Sequence, residues 1–248
     1  MKKIIAAVVA ANISLFAFSS SSVSVLNGKF DGNSAIYDTA DGGDKTTFTF
    51  EHLTKGKAGD IFFFMDYTVA DDTKLYSSDK SGVYFEIMPR LSLSNLTGKD
   101  LSNTVVKDVF IASQFNAGSG SDYQAELLGL GTDLNIPGFD FVQLNVYAKR
   151  VDLTINSTDY SRNTFQISPV YGTHFGSTGI SFKGWIDYTE YSFSTQNQLL
   201  YEVAKIGKSD KFEVGVEHLY YHESKNDFTS ENPHVKSNTL QVMAKYSW

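Results

Sequence analysis

Cysteine is absent from the sequence, which removes disulfide frameworks and thiolate metal sites whatever the redox compartment. Beyond residue 18 no apolar run approaches the roughly 20 residues that a membrane-crossing helix needs. Positive charge is also scarce: 21 Lys and Arg against 28 Asp and Glu give a net charge of −7. With no basic patch to neutralise phosphates, nucleic acid is excluded as a partner. The five histidines (His52, His174, His218, His222 and His234) form no HExxH pair, and no GxSxG elbow occurs. His218 and His222 have ligand spacing for a helix, but four residues along a strand separate them by ~13 Å. Serine is abundant, yet nothing specifies a Ser–His pair. The chain therefore reads as a non-enzyme, with no catalytic set, cofactor site or metal site.

What is present begins with an address. Lys2 and Lys3 form a short positive region, Ile4 to Phe18 an apolar one, and Ser19 to Ser22 a small-residue stretch. That is the layout of a secretory signal peptide, and the apolar core, interrupted by Asn12, is too short to span a bilayer. The expected organisation is a leader over 1–20, cleaved between 19 and 22, and one domain over 21–248. Cleavage removes two lysines and leaves the mature chain more acidic.

At the other end the chain alternates. Leu240, Val242, Ala244, Tyr246 and Trp248 are apolar, while Thr239, Gln241, Met243, Lys245 and Ser247 between them are mostly polar. Period two over this length means a strand with one greasy and one wet face. A soluble sandwich strand alternates in the same way. The composition separates the two: 14 Tyr, 19 Phe and 19 Gly accompany only four prolines and a hydrophobic share of 42 %. Aromatic abundance, modest mean hydropathy and an exported chain ending on Trp suit an outer-membrane barrel, whose outward residues meet lipid and whose inward ones meet water.

About twelve strands follow, each near the ~9–11 residues that cross an outer membrane: 22–30, 44–53, 60–70, 82–93, 104–115, 121–133, 138–151, 160–173, 178–191, 196–206, 211–222 and 237–248. The predicted fold is all-β, a transmembrane antiparallel up-and-down β-barrel. Turn residues after even-numbered strands (Lys55–Asp60, Asn135–Gly138, Phe175–Ser177, Gly207–Asp210) give short connections. Longer polar stretches (Asp31–Gly43, Asp71–Ser81, Asp152–Asp159, Ser224–Lys236) follow odd-numbered ones. Short periplasmic turns and long extracellular loops match this alternation, and an even strand count places both termini in the periplasm. Ser94–Asn103 is too long for a tight turn and breaks the rule once.

The same period assigns faces. Glu51 shares one face with Thr47 and Thr49, opposite Phe48, Phe50 and His52. Phe62, Phe64 and Asp66 point inward, and Ile61, Phe63, Met65 and Tyr67 outward. Tyr84, Glu86, Met88 and Arg90 form the next inward set, with Lys183, Trp185 and Asp187 in a later strand. Glu213, Gly215, Glu217 and Tyr221 also point inward, leaving His218 awkwardly on the outer face. A general ion pore needs charge but not stacking surfaces. Flat rings beside carboxylates suit a neutral, planar, hydroxylated solute, since stacking on a base contributes roughly 1–3 kcal/mol. Equally, inward rings can fill a narrow barrel while charges brace its wall. Both readings stand on the residues alone. Glu51, Glu86 and Arg90 are expected to lie close enough to pair.

The run Tyr84-Phe85-Glu86-Ile87-Met88-Pro89-Arg90, followed by Leu91-Ser92-Leu93 and Leu96–Ser102, resembles the Tsx family of nucleoside-specific channel-forming outer-membrane proteins. Gly129–Asp133, Asn145–Lys149, Thr49-Phe50-Glu51 and Asp60–Phe64 share the resemblance. It implies a monomeric twelve-stranded barrel in the Gram-negative outer membrane, surrounded by its lipids, with a narrow channel for nucleosides and deoxynucleosides. Some members also serve as phage or colicin receptors through their loops. Glu51, Glu86 and Arg90 match family motif positions. Phe30 corresponds to the Phe of a first-strand Arg-Phe pair that helps hold the base, with Lys29 in place of the Arg. The candidate solute-binding set is thus Phe30, Glu51, Phe62, Phe64, Asp66, Tyr84, Glu86, Arg90, Lys183, Trp185 and Asp187. The expected function is passive diffusion of nucleosides or similar small solutes. The alternatives are a loop-displaying barrel acting as phage receptor or adhesin, and a small general porin.

Overall fold

A strand with one apolar and one polar face must cover both, and this chain does so by curling its strands into a closed wall. The computed structural model describes residues 16–30, 32–33, 43–70, 81–119, 122–155, 157–206, 209–223 and 235–248. Twelve antiparallel strands follow one another: β1 (Phe16–Phe30), β2 (Gly43–Gly56), β3 (Gly59–Ala70), β4 (Ser81–Ser92), β5 (Val106–Gly118), β6 (Gln124–Leu134), β7 (Phe141–Ile155), β8 (Thr158–His174), β9 (Ile180–Tyr188), β10 (Ser192–Ile206), β11 (Asp210–Glu223) and β12 (Val235–Ser247). Each pairs with its sequence neighbours, and β1 also pairs with β12. Gly32–Asn33 continues that seam against Ser237 and Lys236. Closure leaves no free sheet edge among the described residues, which is what a backbone in lipid requires.

The burial pattern identifies the wall as a membrane barrel rather than half of a sandwich. In β12, Ser237, Thr239, Gln241, Met243, Lys245 and Ser247 are buried, whereas Leu240 and Val242 are 63 % and 64 % exposed. Polar inside and apolar outside inverts the soluble arrangement. Outward rings form a continuous row, Tyr246, Trp248, Phe50, Phe63, Phe85 and Phe115, with neighbouring centroids 5.7–6.5 Å apart. His218, awkward by sequence, stays on the outer face and finds Asn238 Oδ1 2.7 Å from its Nε2.

Two connections differ from expectation. Asp152–Asp159 is not a long loop: Asp152 pairs with Ser161, Leu153 with Tyr160 and Thr154 with Asp159, so β7 and β8 run on to a tight reversal with Ser157 at φ 63°. The cause is apolar: Val151 and Leu153 join an inward cluster with Tyr123, Ala125, Leu127 and Tyr147, which rewards continued pairing. The connection that broke the short-turn rule contains a helical turn, α1 (Leu93–Thr97). Ser92 caps it by accepting from Asn95 N at 3.0 Å, and Gly98 closes it in the left-handed region at φ 66°. The Ser92 and Ser94 hydroxyls both donate to Asp108 at 2.6 Å, pinning the turn to β5.

The expected long loops at 34–42, 71–80 and 224–234, and the leader core at 1–15, lie outside the described residues. The expected cleavage stretch falls within β1, where Ser19–Ser22 pair with Thr54–Glu51. The seam with the last strand begins at Ser21, which exchanges two 2.9 Å backbone hydrogen bonds with Trp248.

Candidate functional site

Every strand contributes alternate residues to the interior, and their register decides which groups meet. Toward the long-loop end they enclose a cavity of about 170 Å³. That is room for one small solute rather than a broad water column. Seven of the eleven expected site residues line it: Phe30, Phe64, Asp66, Tyr84, Glu86, Trp185 and Asp187. Glu51, Phe62, Arg90 and Lys183 share the inward faces but sit nearer the short-turn end, outside the cavity lining.

One wall carries rings. Phe62 lies 6.2 Å from Phe64, Phe64 lies 6.0 Å from Tyr84, and Tyr84 lies 6.3 Å from Tyr123. These tilted contacts form a ladder across β3, β4 and the residue that precedes β6. Phe30 is buried from the first strand, and the cation over its ring is Lys45 of β2, with Nζ 4.7 Å from the centroid. Lys29, the substitute for the family's Arg, faces away from this site and is exposed.

The expected pairing of Arg90 with Glu86 and Glu51 is replaced by three separate networks. Arg90 grips Asp60 through Nε (2.8 Å) and Nη2 (2.5 Å), reaches Asp133 through Nη1 (2.8 Å), and lies 4.3 Å from the Phe110 centroid. Glu86 instead accepts from Tyr84 OH (2.5 Å), Gln114 Nε2 (2.8 Å) and Asn116 Nδ2 (3.0 Å). Glu51 accepts from Ser22 Oγ (2.9 Å), pairs with Lys245, and has Lys183 Nζ at 3.7 Å. Register is the reason: Asp60 stands directly opposite Arg90, while Phe64 stands between Glu51 and Glu86 on neighbouring strands. Four residues along one strand hold Arg90 ~13 Å from Glu86.

Opposite the ring ladder the interior is hydrogen-bonded. Lys149 Nζ donates to Gln166 (2.7 Å), Gln166 to Ser168 (2.9 Å), and Ser168 to Asp187 (2.5 Å). Glu217 accepts from Gln196, Gln198 and Gln241, while beside the rings Thr49 donates to Asp66 at 2.5 Å. Among the described residues no group of His, Asp or Glu could hold a metal ion. The site therefore offers stacking surfaces, fixed acceptors and a few ammonium groups in a narrow bore.

The family model for the nucleoside-specific channel-forming protein Tsx matches residues 29–242. The chain belongs to that family. The match covers every expected site residue, from Phe30 to Asp187. Outer membrane protein OmpK of Vibrio parahaemolyticus is 31 % identical over 173 residues, covering 64 % of this chain and 63 % of that protein. Tsx of Salmonella typhimurium is 34 % identical over 94 residues, covering 36 % and 32 % respectively. The chain thus spans less than two thirds of these relatives' lengths. Among solved structures, the KdgM porin in complex with disordered oligogalacturonate superposes with a TM-score of 0.50 at 12 % identity, over 92 % of this chain and 99 % of that one. That likeness shows the barrel alone. Family and fold are those of outer-membrane channels, not of enzymes.

For this Tsx-family chain, the residues that reading the sequence overlooked are mostly amides. Gln114, Asn116, Gln166, Gln196, Gln198 and Gln241 hold the lumen carboxylates and Lys149, and Asp60 and Asp133 hold Arg90. The signal was available. Period two extended through β5, β8, β10 and β12 turns these amides to the same side as the charges.

Proposed function

We propose that this Tsx-family barrel is an outer-membrane channel through which nucleosides, or similar small neutral solutes, diffuse passively, residues 1–20 being a removed leader and both termini facing the periplasm. The observation that carries the reading is the ring ladder Phe64–Tyr84–Tyr123, set beside fixed acceptors in a cavity about 170 Å³ in volume and continued beyond it by Phe62. A ring face accepts any base by stacking, and neighbouring carboxylates and amides accept from ribose hydroxyls. The name of the Salmonella typhimurium relative supports the solute class. Beginning the seam at Ser21 supports the leader boundary, because residues 16–20 pair with β2 alone. Single-channel conductance of the refolded barrel tests the function: adenosine should block the current and glucose should not.

A second reading is a loop-displaying barrel, a phage or colicin receptor or an adhesin, whose lumen is filled by its own side chains. The apolar cluster around Tyr147 and the buried Arg90 network favour it, since both occupy lumen space. Absence of any conductance would decide for it.

A further inference from the structure

Two lumen carboxylates gather amides by their nitrogen ends. Glu217 Oε2 accepts from Gln196 (2.5 Å) and Gln198 (2.7 Å), and its Oε1 accepts from Gln241 (3.1 Å). Glu86 Oε2 accepts from Gln114 (2.8 Å), and its Oε1 from Asn116 (3.0 Å) and Tyr84 (2.5 Å). A carboxylate has no proton to give, so each amide beside it must present NH₂ and turn its oxygen away. The oxygens of Asn116, Gln198 and Gln241 consequently have no hydrogen-bond partner among the described residues, although the three side chains are only 3 %, 7 % and 3 % exposed. A buried carbonyl without a donor calls for one. Asn116 and Gln241 line the cavity from β5 and β12.

The charges around the same cavity are unequal. Asp66, Glu86, Asp187 and Glu217 line it against Lys45 and Lys149. Lys149 donates to Gln166 in the wall, and the Lys45 ammonium lies over Phe30. Carboxyl groups around the cavity thus outnumber ammonium groups four to two, and the Asn116 and Gln241 amides stand in its wall with their oxygens turned from the carboxylates.

We propose that Glu86 and Glu217 are positioning residues that hold Asn116 and Gln241 as an acceptor pair in the cavity wall, making this part of the lumen a weak site for small monovalent cations and the channel cation-selective. Carbonyl and carboxylate oxygens replace part of a cation's hydration shell, whereas an anion there meets four carboxyl groups against two ammonium groups. The proposal rests on the reading of this barrel as a channel, and not on nucleosides being its solute.

The test is the reversal potential of the refolded mature chain in a planar bilayer under a potassium chloride gradient. The wild type should pass potassium in preference to chloride. The double variant Asn116→Leu with Gln241→Leu keeps the net charge but removes two acceptors, and should lower that preference about threefold or more. Glu86→Gln with Glu217→Gln removes the charges and the orienting acceptors together, and should bring the permeability ratio close to unity. If a variant does not insert, the wild-type ratio still decides: equal or chloride-favouring permeability overturns the proposal, and so does a barrel that conducts no ions. An unchanged ratio in the Leu double variant overturns the role of the amides. Adenosine blockade is read separately, so its loss with cation preference intact refutes the nucleoside reading and leaves this one standing.

Discussion

Replacing Arg90 by Leu isolates the interior ion cluster from the rest of the barrel. The side chain is 3 % exposed and binds Asp60, itself 9 % exposed, with both ends of its fork. Its third nitrogen holds Asp133, which is 25 % exposed and so better able to recruit water. Leu roughly keeps the apolar contact with Phe110 and leaves two carboxylates without their cation. Breaking a buried pair from one side typically costs 3–5 kcal/mol, and nearly all of it falls here on Asp60. Had the cluster been an open, wetted pair, as sequence alone suggests for inward charges, the cost would be about 0–1 kcal/mol. Urea unfolding in lipid vesicles, followed by tryptophan emission, should show a loss of about 3–5 kcal/mol for Arg90→Leu. The combination Arg90→Leu with Asp60→Asn should recover much of it, because the stranded charge is then gone. Arg90→Lys should fall between, since an ammonium cannot reproduce the two-pronged contact. A loss below about 1 kcal/mol for Arg90→Leu would refute the reasoning and return the cluster to the solvated class.

Other expectations follow from the same geometry. Phe64→Ala should weaken nucleoside blockade by about 1–3 kcal/mol and Phe62→Ala by less, because Phe64 lines the cavity and Phe62 sits beyond it. Phe63→Ala should leave blockade unchanged, its ring contacting Phe50 and Phe85 on the outer face; equal losses in all three variants would defeat the stacking idea. Val242→Arg should cost about 2–4 kcal/mol if that residue lies near the bilayer midplane. A cost near zero by vesicle unfolding would contradict its lipid exposure. Gly59 sits at φ +139° with the Arg90 carbonyl oxygen only 1.9 Å from where a Cβ would be. Gly59→Ala should therefore prevent folding, seen as loss of the heat-modifiable band on electrophoresis.

The wall was largely legible in the sequence because each strand carries its own evidence. Leu240 and Val242 announce their face by alternation, and so do Phe63 and Met65. What alternation does not contain is the offset between strands. Glu86 and Arg90 share a face by period, yet cross-strand register gives Arg90 to Asp60 and surrounds Glu86 with Gln114 and Asn116. The same ignorance of register hid Lys45 above Phe30. Asp152–Asp159 misled for another reason: its polar letters suggested a loop, while Leu153 and Tyr160 carried the packing that extends the hairpin. Amides escaped because, without charge or ring, they draw attention only once a carboxylate is seen beside them.

The chain has two tryptophans, and the wall separates them. Trp185 lines the cavity, whereas Trp248 is 44 % exposed on the outer face and stacks on Tyr246 at 5.7 Å. The protein thus carries its own pair of optical reporters, one for each solvent it meets. Brominated acyl chains should quench Trp248 and spare Trp185, while a solute held in the bore should dim Trp185 and leave Trp248 bright. Insertion and occupancy become separately visible in the unlabelled chain, each recoverable by replacing the other indole with Phe.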